Sequence, residues 1–305
     1  VFMLYKNVID LIGNTPLVKL QISDGQTALY AKLEKYNLTG SSKDRIALKM
    51  IEDAFKKGFI NDDTTIIEPT SGNTGIAIAA ICAVKNLKCI IVMPENMSKE
   101  RINYLRAYKA EIVLTNKKQG MRGALNKAKE LLEEIPNSYM LSQFDNPNNP
   151  LAHYNTTGLE ILKDLPIVEA VIAGIGTGGT ISGVGRYLKT HKPNIKIFGV
   201  EPKTSPLITE NRYGVHKIQG IGPNFLPQNF QKEYIDEVIT VTDFEAYEAS
   251  KMLSAKEGLF VGISSGAALA AALKIKDRFQ HIVIIMPDGG EKYLSVEGFV
   301  ENDQC

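Results

Sequence analysis

In TGSSKDRIA (residues 39–47) a single lysine, Lys43, follows a glycine and two serines and opens a stretch with helical apolar spacing. That spacing predicts Lys43 in the first turn of a helix, where the positive end of the helix dipole disfavours a further positive charge. A lysine that gives up its proton readily is suited to attack a carbonyl carbon. A solvated surface charge is the plainer role in a chain with 35 Lys and Arg. The small polar residues in front of Lys43, like those of a loop that closes on a ligand, set it apart.

Three further loops place small residues where a predicted strand passes into a predicted helix, the position at which open α/β sheets bind ligands. EPTSGNTG (68–75) offers the hydroxyls of Thr70, Ser71 and Thr74, the amide of Asn73 and several backbone N–H groups ahead of a helix. One hydroxyl would cap that helix; this many fit a bound carboxylate or phosphate. GIGTGGT (174–180) matches G-x-G-x-x-G at Gly174, Gly176 and Gly179, and Glu201 follows one βαβ unit later. Those are features of a dinucleotide site, so a dinucleotide-dependent oxidoreductase is the competing class. Thr177 and Thr180 instead suit a terminal phosphate monoester, and the loop lies past mid-chain rather than opening a domain. GISSGAA (262–268) predicts a helix N-cap at Ser264 or Ser265. A neutralisable lysine and a phosphate-monoester loop together point to pyridoxal 5'-phosphate held as a Schiff base.

Composition frames this chemistry. The 305 residues are 44% hydrophobic and 23% charged, enough for a large core and two domains. A formal net charge of +1 gives no basic excess for nucleic acid or a membrane surface. No apolar run is long enough to span a bilayer, and the N-terminal stretch does not read as a signal peptide. Cys82, Cys89 and Cys305 are an odd set without zinc spacing, which predicts packing thiols in a reducing cytosol. His153, His191, His216 and His281 are scattered, predict structural roles and form no metal cluster.

The elements that must position these residues alternate. TALYAKLE, TTIIEPT, LKCIIVMP, AEIVLT, VEAVIAGIG, NIKIFGVEP and HIVIIMP read as strands, separated by amphipathic or apolar helical stretches. Buried apolar strands alternating with helices indicate a parallel α/β architecture. The strand–helix units of residues 41–149, closed by the punctuation NPNNP, predict a smaller domain inserted between an arm, 1–40, and a larger half, 150–305.

The chain resembles the cysteine synthase (O-acetylserine sulfhydrylase) and cystathionine β-synthase family of pyridoxal-phosphate enzymes. The motifs that carry the resemblance run nearly end to end: IGNTPLVKL, GSSKDRI, EPTSGNTGIAIA, VMPENMSKER, QFDNPNNPLAHYNTTGLEI, GIGTGGTISGVGRYLK, HKIQGIG, EGLFVGISSGAALAAAL and MPDGGEKYL. The resemblance implies a tryptophan synthase β-subunit-like fold (fold type II), two parallel-rich α/β domains with the cofactor between them. It implies Lys43 as the Schiff-base lysine and the base for the substrate Cα proton. Asn73 would hydrogen-bond the cofactor 3-oxygen. Thr70, Ser71, Thr74 and Gln143 would hold the substrate α-carboxylate and draw the smaller, mobile domain closed. Gly176, Thr177, Gly178, Gly179 and Thr180 would cradle the phosphate. Ser264 would hydrogen-bond the pyridine nitrogen; a hydroxyl there leaves that nitrogen largely unprotonated, a weaker electron sink suited to β-elimination.

The implied reaction is β-replacement through an aminoacrylate intermediate, converting O-acetyl-L-serine and sulfide to L-cysteine and acetate. The alternative is β-elimination or replacement on L-cysteine, releasing hydrogen sulfide and giving serine, lanthionine or cystathionine. A small amino-acid substrate, a homodimer, and the C-terminal tail of serine acetyltransferase are the implied partners. The sequence departs from the family in GIGPNFLP (220–227), where sulfhydrylases commonly read GIGAGF and cystathionine β-synthases commonly carry an aspartate at position 224. Asn224 is therefore a candidate catalytic or specificity residue near the substrate Cβ, although Asn and Gly are also interchangeable in turns. An Asn cannot be a general base, whereas an Asp there could.

Overall fold

The computed structural model describes residues 4–23, 25–97 and 99–300. Among them the strands, in chain order, are β1 (Leu17–Lys19), β2 (Ala28–Leu33), β3 (Thr65–Pro69), β4 (Lys88–Pro94), β5 (Glu111–Thr115), β6 (Ser138–Tyr139), β7 (Ala170–Gly174), β8 (Lys196–Pro202), β9 (Glu237–Val241) and β10 (His281–Met286). The α-helices are α1 (Lys43–Lys56), α2 (Asn73–Lys85), α3 (Lys99–Ala107), α4 (Gly120–Glu134), α5 (Asn148–His153), α6 (Leu159–Asp164), α7 (Gly179–His191), α8 (Leu207–Glu210), α9 (Asp243–Glu257) and α10 (Ile263–Ile275).

The chain forms two compact units, Val1–Ile12 with Asn37–Asn148, and Gly13–Tyr36 with Asn149–Cys305. The last cut, after Asn148, falls inside NPNNP. The N-terminal arm, expected whole in the larger half, divides instead. Its 3-10 turn, Val8–Leu11, packs on α2 in the smaller unit, while the following residues supply β1 and β2 to the larger.

The smaller unit is a parallel sheet of order β5-β4-β3-β6, with Ile67 opposite Ile90 and Val92 opposite Val113. Helix α1 buries Ile46, Ala47, Met50, Ile51 and Ala54 along one stripe. Helix α2 is apolar all round and buried from Thr74 to Cys82, as a helix without a polar face must be. Cys82 and Cys89 are both buried and unbridged. A hydrogen bond between them, reinforced by burial, holds the Cys89 thiol well above its ordinary pKa, which suits packing rather than nucleophilic attack. Cys305 lies outside the described residues.

The larger unit is a sheet of order β1-β2-β10-β7-β8-β9, parallel except for the β1–β2 pair. One apolar layer, including Leu253, Leu269 and Ile284, packs α9 and α10 against it; another, including Val184, Leu188 and Val283, packs α7 on the opposite face. The helix begun by α5 passes through a π turn, Tyr154–Gly158, into α6. No helix among the described residues is long and apolar enough to cross a membrane.

Candidate active site

In the smaller unit, Gly40 takes φ +78°, a left-handed conformation open to glycine, and Lys43 is the first residue of α1. The turn is closed by Asp44, whose fully buried carboxylate accepts the Thr39 N–H at 2.6 Å and also the Thr39 hydroxyl. That anion lies in the first turn of α1, where the dipole favours it. Lys43 is half-buried; its backbone N–H approaches Ser41 Oγ at 3.3 Å, and its Nζ lies 3.5 Å from Ser42 Oγ.

The same unit assembles the loop between β3 and α2. Thr70 and Thr74 are buried, while Ser71 and Asn73 are half-buried. The Thr70 hydroxyl accepts the Gly72 N–H at 3.3 Å, and Arg101 of α3 donates to the Ser71 carbonyl at 3.0 Å. Asn73 opens α2. Thr74 Oγ1 donates to Gln143 Oε1 at 2.6 Å, bringing together residues far apart in sequence. The amide oxygen of Gln143 thereby accepts the Thr74 hydroxyl. Behind it, Glu68 accepts the backbone N–H groups of Ser142 at 3.0 Å and Gln143 at 3.1 Å. Burial pushes the Glu68 carboxyl up to about 7, against the downward pull of those hydrogen bonds.

In the larger unit, the loop from Gly174 to α7 is walled so closely that its glycines have no room for a side chain. A Cβ on Gly176 would collide with the Gly220 carbonyl, and one on Gly179 with the Asn149 amide. One on Gly178, at φ +80°, would meet Phe230 Cα and Cβ at 2.7 Å. The backbone N–H groups at the N-terminus of α7 and the hydroxyls of Thr177 and Thr180 lie in this one loop, a cradle of the kind that suits an anion. It is braced from below. Asn149 Nδ2 donates to Thr177 Oγ1 at 3.0 Å, and the fully buried His153 lies between Thr180 Oγ1, at 3.1 Å, and Thr157 Oγ1 of the π turn, at 2.9 Å. Glu201, the residue a dinucleotide ribose would need, is spent elsewhere: it is buried and accepts from Ile208 N, Thr209 N and Thr209 Oγ1.

Ser264 and Ser265 do not cap α10. The N-cap is Gly262, which has no side chain to bond, and both serines lie buried inside the first turn. The hydroxyl of Ser264 is therefore not consumed by a capping role. Asn224 is exposed in the 220–227 loop, which is tied to the cradle by the Gly222 N–H donating to Ile175 O at 2.9 Å. His216 Nε2, 3.0 Å from the Gly222 carbonyl, steadies the same turn.

Sequence reasoning passed over Asp44, Glu68, Asn149 and the contact of His153 with Thr180. Their signal was present only as membership of the quoted motifs, because each acts through a partner distant in sequence or through backbone. The residues fit pyridoxal phosphate: glycines with no space for Cβ, two threonine hydroxyls at a helix N-terminus, a lysine opening α1 and a buried serine opening α10.

The family described as pyridoxal-phosphate dependent enzyme matches residues 8–288. A cysteine synthase of Staphylococcus aureus is 47% identical over 296 residues, 95% of either chain. A hydrogen sulfide-producing enzyme from Fusobacterium nucleatum superposes with a TM-score of 0.93 at 49% identity, covering 96% of this chain and 99% of that one. An O-acetylserine dependent cystathionine β-synthase from Helicobacter pylori superposes with a TM-score of 0.92 at 42% identity, covering 98% and 100%. The chain thus belongs to the pyridoxal-phosphate-dependent enzymes, among relatives of the cysteine synthases.

Proposed function

We propose that the protein catalyses β-replacement on an amino acid, taking O-acetyl-L-serine and sulfide to L-cysteine and acetate. The observation that carries this reading is the Thr74–Gln143 hydrogen bond of 2.6 Å at the start of α2. It joins two chain segments at one place; with the Thr74 hydroxyl proton given to Gln143, the donors for an α-carboxylate are the Thr70 and Ser71 hydroxyls, the Gln143 amide and the backbone N–H groups at the start of α2. The bound cofactor supplies an electron sink that acidifies the substrate Cα–H and allows the β-substituent to leave. Lys43 Nζ takes the Cα proton and later returns one. Thr70, Ser71, Thr74 and Gln143 hold the carboxylate, and Asn73 steadies the ring 3-oxygen. Gly176, Thr177, Gly178, Gly179 and Thr180 anchor the phosphate, and Ser264 offers the ring nitrogen a neutral hydroxyl. Engagement of the carboxylate moves the 70–74 loop and excludes water. The same subsite suits the terminal carboxylate of a serine acetyltransferase tail, and the enzyme works as a homodimer.

A second reading is L-cysteine as first substrate, with release of sulfide. It is supported by the likeness to the sulfide-producing enzyme and by the exposed Asn224 on the loop tied to the cradle. The test is a side-by-side assay of O-acetyl-L-serine plus sulfide against L-cysteine alone. Faster cysteine formation is expected; sulfide release alone would move the assignment to the second reading, and neither would overturn both. Borohydride followed by peptide mapping should label Lys43 with cofactor and leave a Lys43→Ala variant unlabelled. Sedimentation velocity at micromolar protein reads the dimer.

A further inference from the structure

Glu68 has no part in the chemistry described above, yet it is only 1% exposed and lies two residues before Thr70. A buried carboxylate is costly and needs a use. Its two oxygens are both engaged by main chain: Oε2 accepts Ser142 N–H and Oε1 accepts Gln143 N–H. Ser142 is left-handed at φ +57°, which aims consecutive N–H groups at a single point. Such a concave pair of donors is an anion-binding nest. Here the anion is the protein's own. Asp145 and the Cys89 thiol, itself hydrogen-bonded to Cys82, are the other titratable groups that act with or on Glu68. The arrangement closes a circuit: β3 carries Glu68, Glu68 holds the 142–143 turn, Gln143 accepts a hydrogen bond from the Thr74 hydroxyl, and Thr74 returns to the loop that follows β3.

We propose that Glu68 is a positioning residue for the substrate-carboxylate subsite, fixing the 142–143 turn so that Gln143 is held against Thr74 with its –NH2 presented to the substrate. The proposal rests on the reading that Gln143 and Thr74 bind that carboxylate. In a Glu68→Gln variant one oxygen still accepts, but the amide –NH2 faces the second N–H donor. The turn shifts and Gln143 loses its register, while the cradle and the lysine, in other segments, are untouched.

The experiment is a double-mutant cycle with the holoenzyme, using Glu68→Gln, Gln143→Ala and the pair, and reading KM for O-acetyl-L-serine, kcat, and cofactor affinity by titration of the stripped protein. Loss of a charge-assisted hydrogen bond predicts a rise in KM of about tenfold for Glu68→Gln. Changes in kcat and cofactor affinity should stay within about twofold. The Glu68→Gln effect should vanish when Gln143 is already alanine, because the two act in series. Full additivity of the two substitutions, or an unchanged KM in Glu68→Gln beside a raised KM in Gln143→Ala, overturns the role of Glu68. An unchanged KM in Gln143→Ala instead overturns the subsite reading. If Glu68→Gln does not fold, Glu68→Asp, whose shorter arm reaches one N–H at most, takes its place with the same expected cycle.

Discussion

Glu68 shows how a residue chosen for position can work against stability. Its carboxyl stands at about 7, raised from an ordinary value of 4.5, with burial as the largest cause. The folded protein therefore binds that proton more tightly than the unfolded chain does. Between pH 4.5 and 7 the unfolded state has fewer protons at this site, so stability falls as pH rises through that window and the loss is complete above about pH 7. The rise corresponds to about 3 kcal/mol at most. Glu68→Gln does not titrate, so its unfolding free energy relative to the parent should increase by up to about 3 kcal/mol between pH 5 and pH 8, measured by urea denaturation at both. A difference that is flat with pH would mean that the carboxyl is not held protonated. The place of Lys43 at the start of a helix was legible from its Gly-Ser-Ser flank and the apolar spacing that follows it. Glu68 was not, since an acid at the end of an apolar strand has no sequence mark of the backbone N–H groups that meet it. Asn224 was legible only as a departure from a family pattern. Exposed on its loop, it should tolerate Asn224→Asp without loss of stability, and the new carboxylate should raise sulfide release from L-cysteine while leaving the O-acetyl-L-serine reaction slower or unchanged. Equal rates of both reactions in variant and parent would remove Asn224 from the choice of leaving group.

Among elements, the strand–turn–helix loops separate glycines that the fold needs from one that the ligand needs. At Gly178 a side chain would face φ +80° and Phe230 at 2.7 Å, so Gly178→Ala should destabilise the cofactor-free protein by roughly 1–3 kcal/mol and weaken cofactor binding together. Gly72 differs. It lies at φ −117° with nothing within 4 Å of a Cβ, so Gly72→Ala should melt within about 2 °C of the parent. The added methyl enters the space over the 70–74 loop and should raise KM for the amino acid without changing cofactor affinity. Thermal shift, cofactor titration and KM on the two variants check the contrast; a Gly72→Ala protein with parental KM would place the substrate carboxylate elsewhere. Helices α1, α2, α7 and α10 were readable from sequence because each is long enough to average out single residues, α1 and α7 by an apolar stripe and α2 and α10 by a continuous apolar run. Strands β1 and β6, of three and two residues, carry no such average. LFVGI, apolar enough for a strand, makes only the single bridge Val261–Gly289. The expected serine cap on α10 failed because Gly262, already extended at ψ 165°, begins the helix two residues earlier.

For the molecule as a whole, the larger unit cannot be completed from one end of the chain. Its central strand β10 pairs with β2 along six residues, so segments at opposite ends of the sequence must meet across the inserted smaller unit. The arm's division at Ile12 follows from this: residues beyond it are needed to start the larger sheet, a demand that no local pattern announces. Lys32 on β2 ties this N-terminal segment to α6. Fully buried, it pairs with Glu160 of α6 at 2.8 Å and donates to the Thr15 carbonyl at 2.6 Å, while Glu160 also accepts the Asn14 N–H at 2.9 Å. Removing one partner of such a pair strands the other charge. Lys32→Met should therefore cost about 3–5 kcal/mol in urea denaturation of the cofactor-free protein. Adding Glu160→Gln, which keeps an acceptor for Asn14 but no charge, should recover more than half of that loss. A double variant as unstable as Lys32→Met would show that the lysine stabilises the larger unit through Thr15 and packing rather than through its charge.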